Sequence, residues 1–272
     1  MDEKTKRLLA KYAERYETAA FLQGDPSWFM HQVEGDENRE ATAFVAAALS
    51  FGSRSQFMPR IQWIVERAEG DVDRWIRSGA FERDIPSGCD DCFYRFYTAS
   101  AMNAFLRRFR SVMKDAGSLG EFLKPTASGG GLAAVKAICA RFASADETQV
   151  VPKDAKSACK RICMFLRWMA RDGSPVDLGL WSEFLDRRTL IVPLDTHVAQ
   201  EARRLGLAEC RNASMSAALK ITSALAEAFP DDPLKGDFAL FGYGVDSSNA
   251  TRPATIVMRG DRSSSTRTRS AI

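Results

Sequence analysis

Apolar residues recur along this chain at intervals of three and four, and no stretch alternates with period two between hairpin signals. A stripe repeating every 3.6 residues has to be buried against a neighbouring element, and with no strands predicted that neighbour is another helix. The sequence therefore predicts an all-α globular protein. The clearest segment is ENREATAFVAAALSF, 37–51, rich in alanine and apolar along one face. Further helices are predicted over 2–22, 55–69, 72–78, 99–114, 132–142, 155–171, 178–185, 196–205, 214–228 and 237–241, with one or two turns at 119–123. Gly24-Asp25-Pro26, SGGG at 128–131 and Asp172-Gly173-Ser174-Pro175 punctuate the pattern. The aromatic stretch 89–97 is predicted to be partly loop.

With 272 residues, 45% of them hydrophobic, the chain can bury a sizeable core in one or two domains. No apolar run approaches the ~20 residues that cross a bilayer. The N-terminal stretch MDEKTKRLLAKYAERYETAAF is charged and lacks the apolar region of a secretory signal. A cytoplasmic protein without a membrane partner is the expectation. Residues 246–272 hold five arginines and two aspartates, which equals the whole net charge of +3. They are predicted to form a disordered basic tail, ending in the polar SSSTRTRS. The rest of the chain is neutral, so any contact with phosphates would depend on local lysines and arginines. The six cysteines are expected as free thiols. Cys89-x-x-Cys92 has no second such pair, and the two histidines, His31 and His197, stand far apart. No metal site and no cofactor is predicted, and a metal-dependent hydrolase is disfavoured for the same reason.

The stretch IVPLDTHVAQEARRLGL, 191–207, sets Asp195 directly after Pro-Leu at the start of a predicted helix that ends at Gly206. Two readings of Asp195 stand. It can cap the helix by accepting a free backbone N–H, worth about 1 kcal/mol. It can also serve as a functional carboxylate, which requires a partner. Lys160 in KSACKRICMFLRWMAR lies beside the apolar face of Ile162, Phe165, Leu166 and Met169. Partial desolvation there would favour a neutral amine, a nucleophile. The alternative is a solvated surface lysine. His197 is open in the same way, between a structural histidine and a site residue.

LDTHVAQEARRLGL resembles the (V/L)-D-T-H-V segment of the helix-hairpin-helix (HhH-GPD) DNA glycosylase superfamily. The resemblance implies that Asp195 is the catalytic carboxylate and that His197 contacts DNA. CKRICMFLRWM is similar to that family's R-K-T-A-N-x-x-L-N-x-A helix, which puts the nucleophilic lysine of bifunctional members at Lys160. AFVAAALSFGSRSQFMPRI resembles the family's L-L-x-x-x-L-S-x-Q-T helix–loop–helix, whose loop meets DNA through Gly52, Ser53 and Arg54 here. More closely, YRFYT, CKRICMFLRWM, DLGLW, PLDTHV and DDPLKGDFALFGYGV resemble a bacterial family of unknown function within that superfamily, over about 41–245.

Several positions depart from the superfamily pattern. Its hairpin reads L-P-G-x-G-x-K, and the glycines let backbone N–H groups approach a phosphate. The stretch here is VPKDAKSACK, with Lys156 and Ala158 at the glycine positions, leaving Lys153 and Lys156 to grip by charge. Lys160 and Asp195 are separated by a longer interval than in the endonuclease III branch. An archaeal 8-oxoguanine glycosylase branch shares the long interval and the degenerate hairpin, which suggests oxidised guanine by analogy. Gly52 replaces the DNA-facing glutamine, with Arg54 the candidate to fill the gap. Only Cys210 follows Asp195, so the iron–sulfur cluster of several members is not expected.

The resemblance implies two helical domains flanking a cleft. A six-helix barrel with a degenerate hairpin would span 41–194, and 1–40 would join 195–245 in the second domain. It implies a monomeric glycosylase and abasic-site lyase acting on damaged duplex DNA. The rival expectation is a nucleic-acid-binding or partner-binding module of the same fold without catalysis.

Overall fold

The computed structural model describes residues 1–143, 150–209 and 212–250. It is mostly helical, as the periodicity predicts. In chain order the helices are α1 (Glu3–Tyr16), α2 (Asp36–Leu49), α3 (Arg54–Arg67), α4 (Val72–Ser78), α5 (Phe81–Asp84), α6 (Ala99–Ala116), α7 (Leu119–Leu123), α8 (Gly130–Phe142), α9 (Lys160–Ala170), α10 (Thr196–Arg204), α11 (Met215–Ala226) and α12 (Lys235–Ala250). Short 3-10 turns cover Ala19–Leu22, Pro26–His31, Lys124–Gly129 and Arg187–Thr189. The predicted tail 246–272 begins inside α12, and its remainder, like Cys210, lies outside the described residues. No helix among the described residues is long and apolar enough to cross a membrane.

Helix α2 is the axis of the core. Every residue from Glu40 to Leu49 is buried, so this helix is enclosed on all sides rather than half-exposed. Alanines at 41, 43, 46, 47 and 48 let neighbours come close, and α3, α4, α9 and the turn Pro26–His31 pack around it. Phe44 meets Phe105 and Phe109 of α6, Phe142 of α8 and Phe165 of α9, with ring centroids 4.9–5.5 Å apart. Edge and tilted contacts of this kind add to simple burial. Glu40 is buried among these helices. Its carboxylate accepts the amides of Leu119 at 2.7 Å and Gly120 at 3.0 Å, and the indole N–H of Trp181 at 3.0 Å. It thus holds the first turn of α7 and the loop after α9. Burial pushes its pKa up to about 7 against those three donors.

The first and last described helices meet. Helix α1 lies along α12, and α12 along α10. Glycines on α12 make that approach possible. A Cβ on Gly236 would lie 2.4 Å from Leu225 of α11, and one on Gly242 would lie 2.2 Å from the Tyr16 ring of α1. One contiguous buried cluster runs from Leu9 and Ala13 through α2, α6 and α9 to Ala239 and Leu240.

A buried ionic network joins the same parts. Arg171, 1% exposed, bonds Asp232 at 2.9 and 2.7 Å, Glu17 at 2.7 Å and Asp177. Arg167 bonds Asp177 at 3.2 Å and also Asp237, and it lies 4.5 Å over the Phe238 ring. Burial pushes the Asp177 and Asp237 carboxyls up, while the guanidiniums act against it.

The helix predicted over 2–22 ends at Tyr16, the one predicted over 237–241 extends over Lys235–Ala250, and three further segments differ in kind from the sequence reading. The helix predicted over 155–171 starts at Lys160, because Cys159 takes a left-handed backbone (φ +45°) and 156–158 pair with the chain before α11. Ser157 bridges Ser214, and the Ala158 amide bonds the Ala213 carbonyl. The helix predicted over 178–185 is a series of turns. The amides of Leu178, Gly179 and Trp181 bond the carbonyls of Trp168 and Met169, closing the C-terminus of α9 instead of a helix of their own. Finally, β1 (Cys92–Tyr94) and β2 (Tyr97–Thr98) form an antiparallel hairpin within the stretch predicted as part loop.

Candidate functional site

Lys160 opens α9 and Asp195 caps α10, and the two side chains meet across a cavity of about 670 Å³. Lys160 Nζ lies 2.8 Å from Asp195 Oδ2. The other carboxylate oxygen, Oδ1, accepts the Val198 amide at 2.8 Å. Each oxygen has its own task, so capping and pairing coexist. Burial pushes the Asp195 carboxyl up, but the Lys160 charge and hydrogen bond, the Val198 amide and the His197 charge outweigh it and hold it below its ordinary value. Lys160 keeps 40% of its side-chain exposure, so its pairing with Asp195, more than burial, defines its surroundings.

The cavity draws its walls from distant parts of the chain. Phe21, Phe238 and Phe241 form an aromatic side, with Phe21 5.0 Å from Phe238 and 5.2 Å from Phe241. Asp25, Arg54, Arg161, Asp237 and Cys159 supply polar groups. Asp25 Oδ1 accepts the Ser27 amide at 3.0 Å and its hydroxyl at 2.7 Å, while Oδ2 is 3.5 Å from Arg54. Cys159 Sγ lies 4.0 Å from Cys139 Sγ, and the hydrogen bond between them pulls the Cys159 thiol down to about 7. The volume and the mixed lining fall within the range of small-molecule and cofactor pockets.

The residues singled out from sequence divide into those at this cavity and those away from it. Lys160, Asp195, Gly52, Arg54 and His197 all line it. His197 packs so close to α12 that a Cβ on Gly244 would lie 2.2 Å from its Nε2. Arg54, half exposed, lies 3.5 Å from Asp25 and over the Phe241 ring at 5.8 Å. Ser53 stands at the N-cap of α3 with its hydroxyl 3.1 Å from that of Ser55, beside the cavity but not in its wall. Lys153 and Lys156 are exposed on the irregular chain before α9 rather than at a helix start. Lys156 is 91% exposed, 3.7 Å from Asp154, and neither lysine reaches the cavity. His31 bonds the Val176 carbonyl at 2.8 Å and does not line the cavity.

Sequence reasoning missed Asp25, Phe21, Phe238, Phe241 and Arg161. Phe238 and Phe241, three apart on one helix, signalled a shared face but not what it faces. Arg161 donates to the Ala48 carbonyl and to Tyr97 Oη at 2.7 Å, tying α9 to the end of α2 and to β2.

Residues 25–246 match the model of a family described as "Protein of unknown function (DUF2400)". The chain belongs to this family. The DUF2400 match takes in both members of the Lys160–Asp195 pair and every wall residue of the cavity except Phe21. No curated protein and no solved structure gives a significant match.

Proposed function

We propose that this chain is a DNA glycosylase with abasic-site lyase activity, built on the helix-hairpin-helix glycosylase plan. The carrying observation is the 2.8 Å Lys160–Asp195 pair beside an aromatic-walled cavity of about 670 Å³. On this reading 41–194 and the combination of 1–40 with 195–245 are the two lobes of a monomer, and the substrate is duplex DNA in the cytoplasm carrying a damaged base. Oxidised guanine is the first lesion to test.

The chemistry needs few groups. An extruded nucleotide enters the cavity, its base against the Phe21, Phe238 and Phe241 side. The Lys160 ammonium first gives a proton to water, the resulting amine adds to C1′ as the C1′–N glycosidic bond breaks, and a second proton from that nitrogen leaves with the departing base. The sugar ring opens to an iminium. Loss of a C2′ proton then breaks the C3′–O bond and releases the 3′ phosphate, and water hydrolyses the iminium to free the enzyme. Asp195, held ionised, stabilises the cationic sugar as the glycosidic bond breaks.

Borohydride reduction tests this directly, because it fixes an iminium as a stable amine. Wild-type protein is expected to become covalently joined to abasic or lesion-bearing duplexes, and Lys160→Gln, which keeps the side chain's length, to abolish the adduct while keeping DNA affinity within roughly a few-fold, because most of the affinity comes from phosphate contacts elsewhere. An adduct that persists in Lys160→Gln removes Lys160 as the nucleophile. Wild-type protein that neither traps nor releases any base leaves a nucleic-acid-binding module without catalysis.

A further inference from the structure

Two buried sulfurs face each other beside the residue that precedes Lys160. Cys139, in the last turn of α8, and Cys159, at the N-cap of α9, have their Sγ atoms 4.0 Å apart. The left-handed backbone of Cys159 suits glycine or asparagine better than cysteine. Its sulfur is held from several sides, 3.6 Å from the Ser157 hydroxyl and 3.4 Å from the Asp154 carbonyl. The two thiols differ in access. Cys159 forms part of the cavity wall, whereas Cys139 stands behind it. Cys163, one turn further along α9, is also buried away from the cavity and gives its S–H to the Ala158 carbonyl at 3.5 Å.

The two sulfurs also differ in charge. The hydrogen bond with Cys139, and after it the Ser157 hydroxyl and the Arg161 charge, favours the thiolate at Cys159 against burial. The same hydrogen bond, together with burial, pushes the Cys139 thiol up, so Cys139 keeps the proton. Burial likewise keeps Cys163 a thiol. A thiolate is the form of cysteine that attacks an oxidant, and a second thiol within reach converts the first oxidation product into a disulfide. The geometry supplies both, with the thiolate on the accessible side.

We propose that Cys159 and Cys139 form a reversibly oxidised pair, with a small hydroperoxide reaching Cys159 through the cavity. The Cys159 thiolate attacks the terminal peroxide oxygen and the O–O bond breaks. The sulfur is oxidised to a sulfenic acid, and the peroxide is reduced to water or an alcohol after its leaving oxygen takes a proton from solvent. The Cys139 sulfur then attacks that of Cys159. The S–S bond forms, and the Cys139 proton leaves with the sulfenic hydroxyl as water. Closing 4.0 Å to the ~2.05 Å of a disulfide falls to Cys159, because Cys139 is held within a helix and its carbonyl accepts the Ala143 amide. The Cys159 sulfur thereby leaves the cavity wall, and the residue before Lys160 becomes tied to α8. A dithiol reverses the change by two exchange steps. The pair does not depend on the chemistry proposed for Lys160.

The test treats the reduced full chain with hydrogen peroxide at neutral pH, alkylates the remaining thiols and digests with trypsin without reduction. Cys139, Cys159 and Cys163 fall in separate tryptic peptides, AICAR, SACK and ICMFLR, so every pairing among them is distinguishable. The expected product is a crosslink of AICAR to SACK, formed with loss of two thiols and removed by dithiothreitol. Cys139→Ser keeps a hydroxyl to hydrogen-bond Cys159 but cannot form the disulfide. Oxidation there should stop at the sulfenic acid, captured by dimedone on SACK. Cys159→Ala should slow oxidation of Cys139 on the order of tenfold or more, since the thiol behind the wall holds little thiolate. Three results overturn the proposal: no AICAR–SACK crosslink under peroxide that oxidises the exposed Cys92, a crosslink that uses ICMFLR instead, or oxidation of Cys139 as fast in Cys159→Ala as in wild type. The wild-type map decides the first two even if a variant fails to fold. Borohydride trapping on abasic DNA, run on the same protein, separates this inference from the proposed function. Trapping with no crosslink sinks the pair alone, and a reversible crosslink without trapping sinks the lyase alone.

Discussion

Asp195 has two carboxylate oxygens, and the fold engages them separately, Oδ1 on the Val198 amide and Oδ2 on the Lys160 ammonium. Asparagine at this position keeps an oxygen for the cap but sets an uncharged amide against Lys160. Asp195→Asn is therefore expected to lower stability by no more than about 1 kcal/mol, the scale of a cap. On the proposed glycosylase reading, base release should slow on the order of a hundredfold or more, the scale of a preorganised charge. Denaturant unfolding and single-turnover base release measure the two effects side by side, and a large loss of stability with unchanged rate would make the residue a cap alone. The folded-state pKa of Asp195 lies below its ordinary 3.8, so the pair's contribution is present above that value and lost only as pH falls through the lower one. The pairing is thus intact across neutral pH. The sequence contained both halves of this arrangement. A Pro-Leu-Asp helix start is legible as a cap, and a lysine 35 positions upstream is legible as a candidate partner. That one residue satisfies both readings depends on how α9 and α10 are juxtaposed, which spacing does not specify.

At the scale of elements, α9 carries the site at its first turn and the buried ionic network in its second half and C-cap. Arg171 binds three carboxylates from three parts of the chain while almost wholly out of water. Removing the guanidinium leaves Glu17 and Asp232 without this counter-charge and Asp177 with Arg167 alone. Arg171→Met is expected to cost about 3–5 kcal/mol of unfolding free energy, read from denaturant midpoints. A loss under about 1 kcal/mol would show that water replaces the guanidinium. The start of α9 also shows where periodicity misleads. Ala155 and Ala158 continue the apolar spacing of Ile162, Phe165 and Met169, so pattern alone carries the helix back to 155. The chain there instead pairs with 213–215, a distant partner that no local pattern announces. Periodicity misleads at 178–185 for a similar reason, since the amides there serve the end of α9. The hairpin strands are two and three residues long, too short to display an alternation.

Across the whole molecule, Glu40 couples core packing to pH. Its folded pKa of about 7 lies above the ordinary 4.5, so between those values the native state binds more protons than the unfolded chain. Stability from this group is therefore fully present below about 4.5 and is lost as pH rises through 7. Between pH 5 and pH 8 the wild-type protein should lose on the order of 2–3 kcal/mol more than Glu40→Gln, which has no proton to release. Equal slopes in denaturant titrations of the two proteins would show that Glu40 stays ionised throughout. The helical character of the molecule is plain in the 3.6-residue rhythm, whereas the enclosure of the alanine-rich α2 on all sides goes beyond the one apolar face that its pattern displays. The meeting of α1 with α12 is not legible either, because each is amphipathic or apolar enough to pack on many surfaces and its partner lies at the far end of the described chain. That closure has a kinetic meaning. Phe21 faces Phe238 and Phe241, and Glu17 reaches Arg171, so the cavity exists only after segments most distant in sequence have found each other. Contacts of such span form slowly compared with helices, which arise from neighbours. A collapsed, helix-rich folding intermediate would already give most of the native circular dichroism yet have no cavity, and the cavity would arrive only when the two distant segments dock.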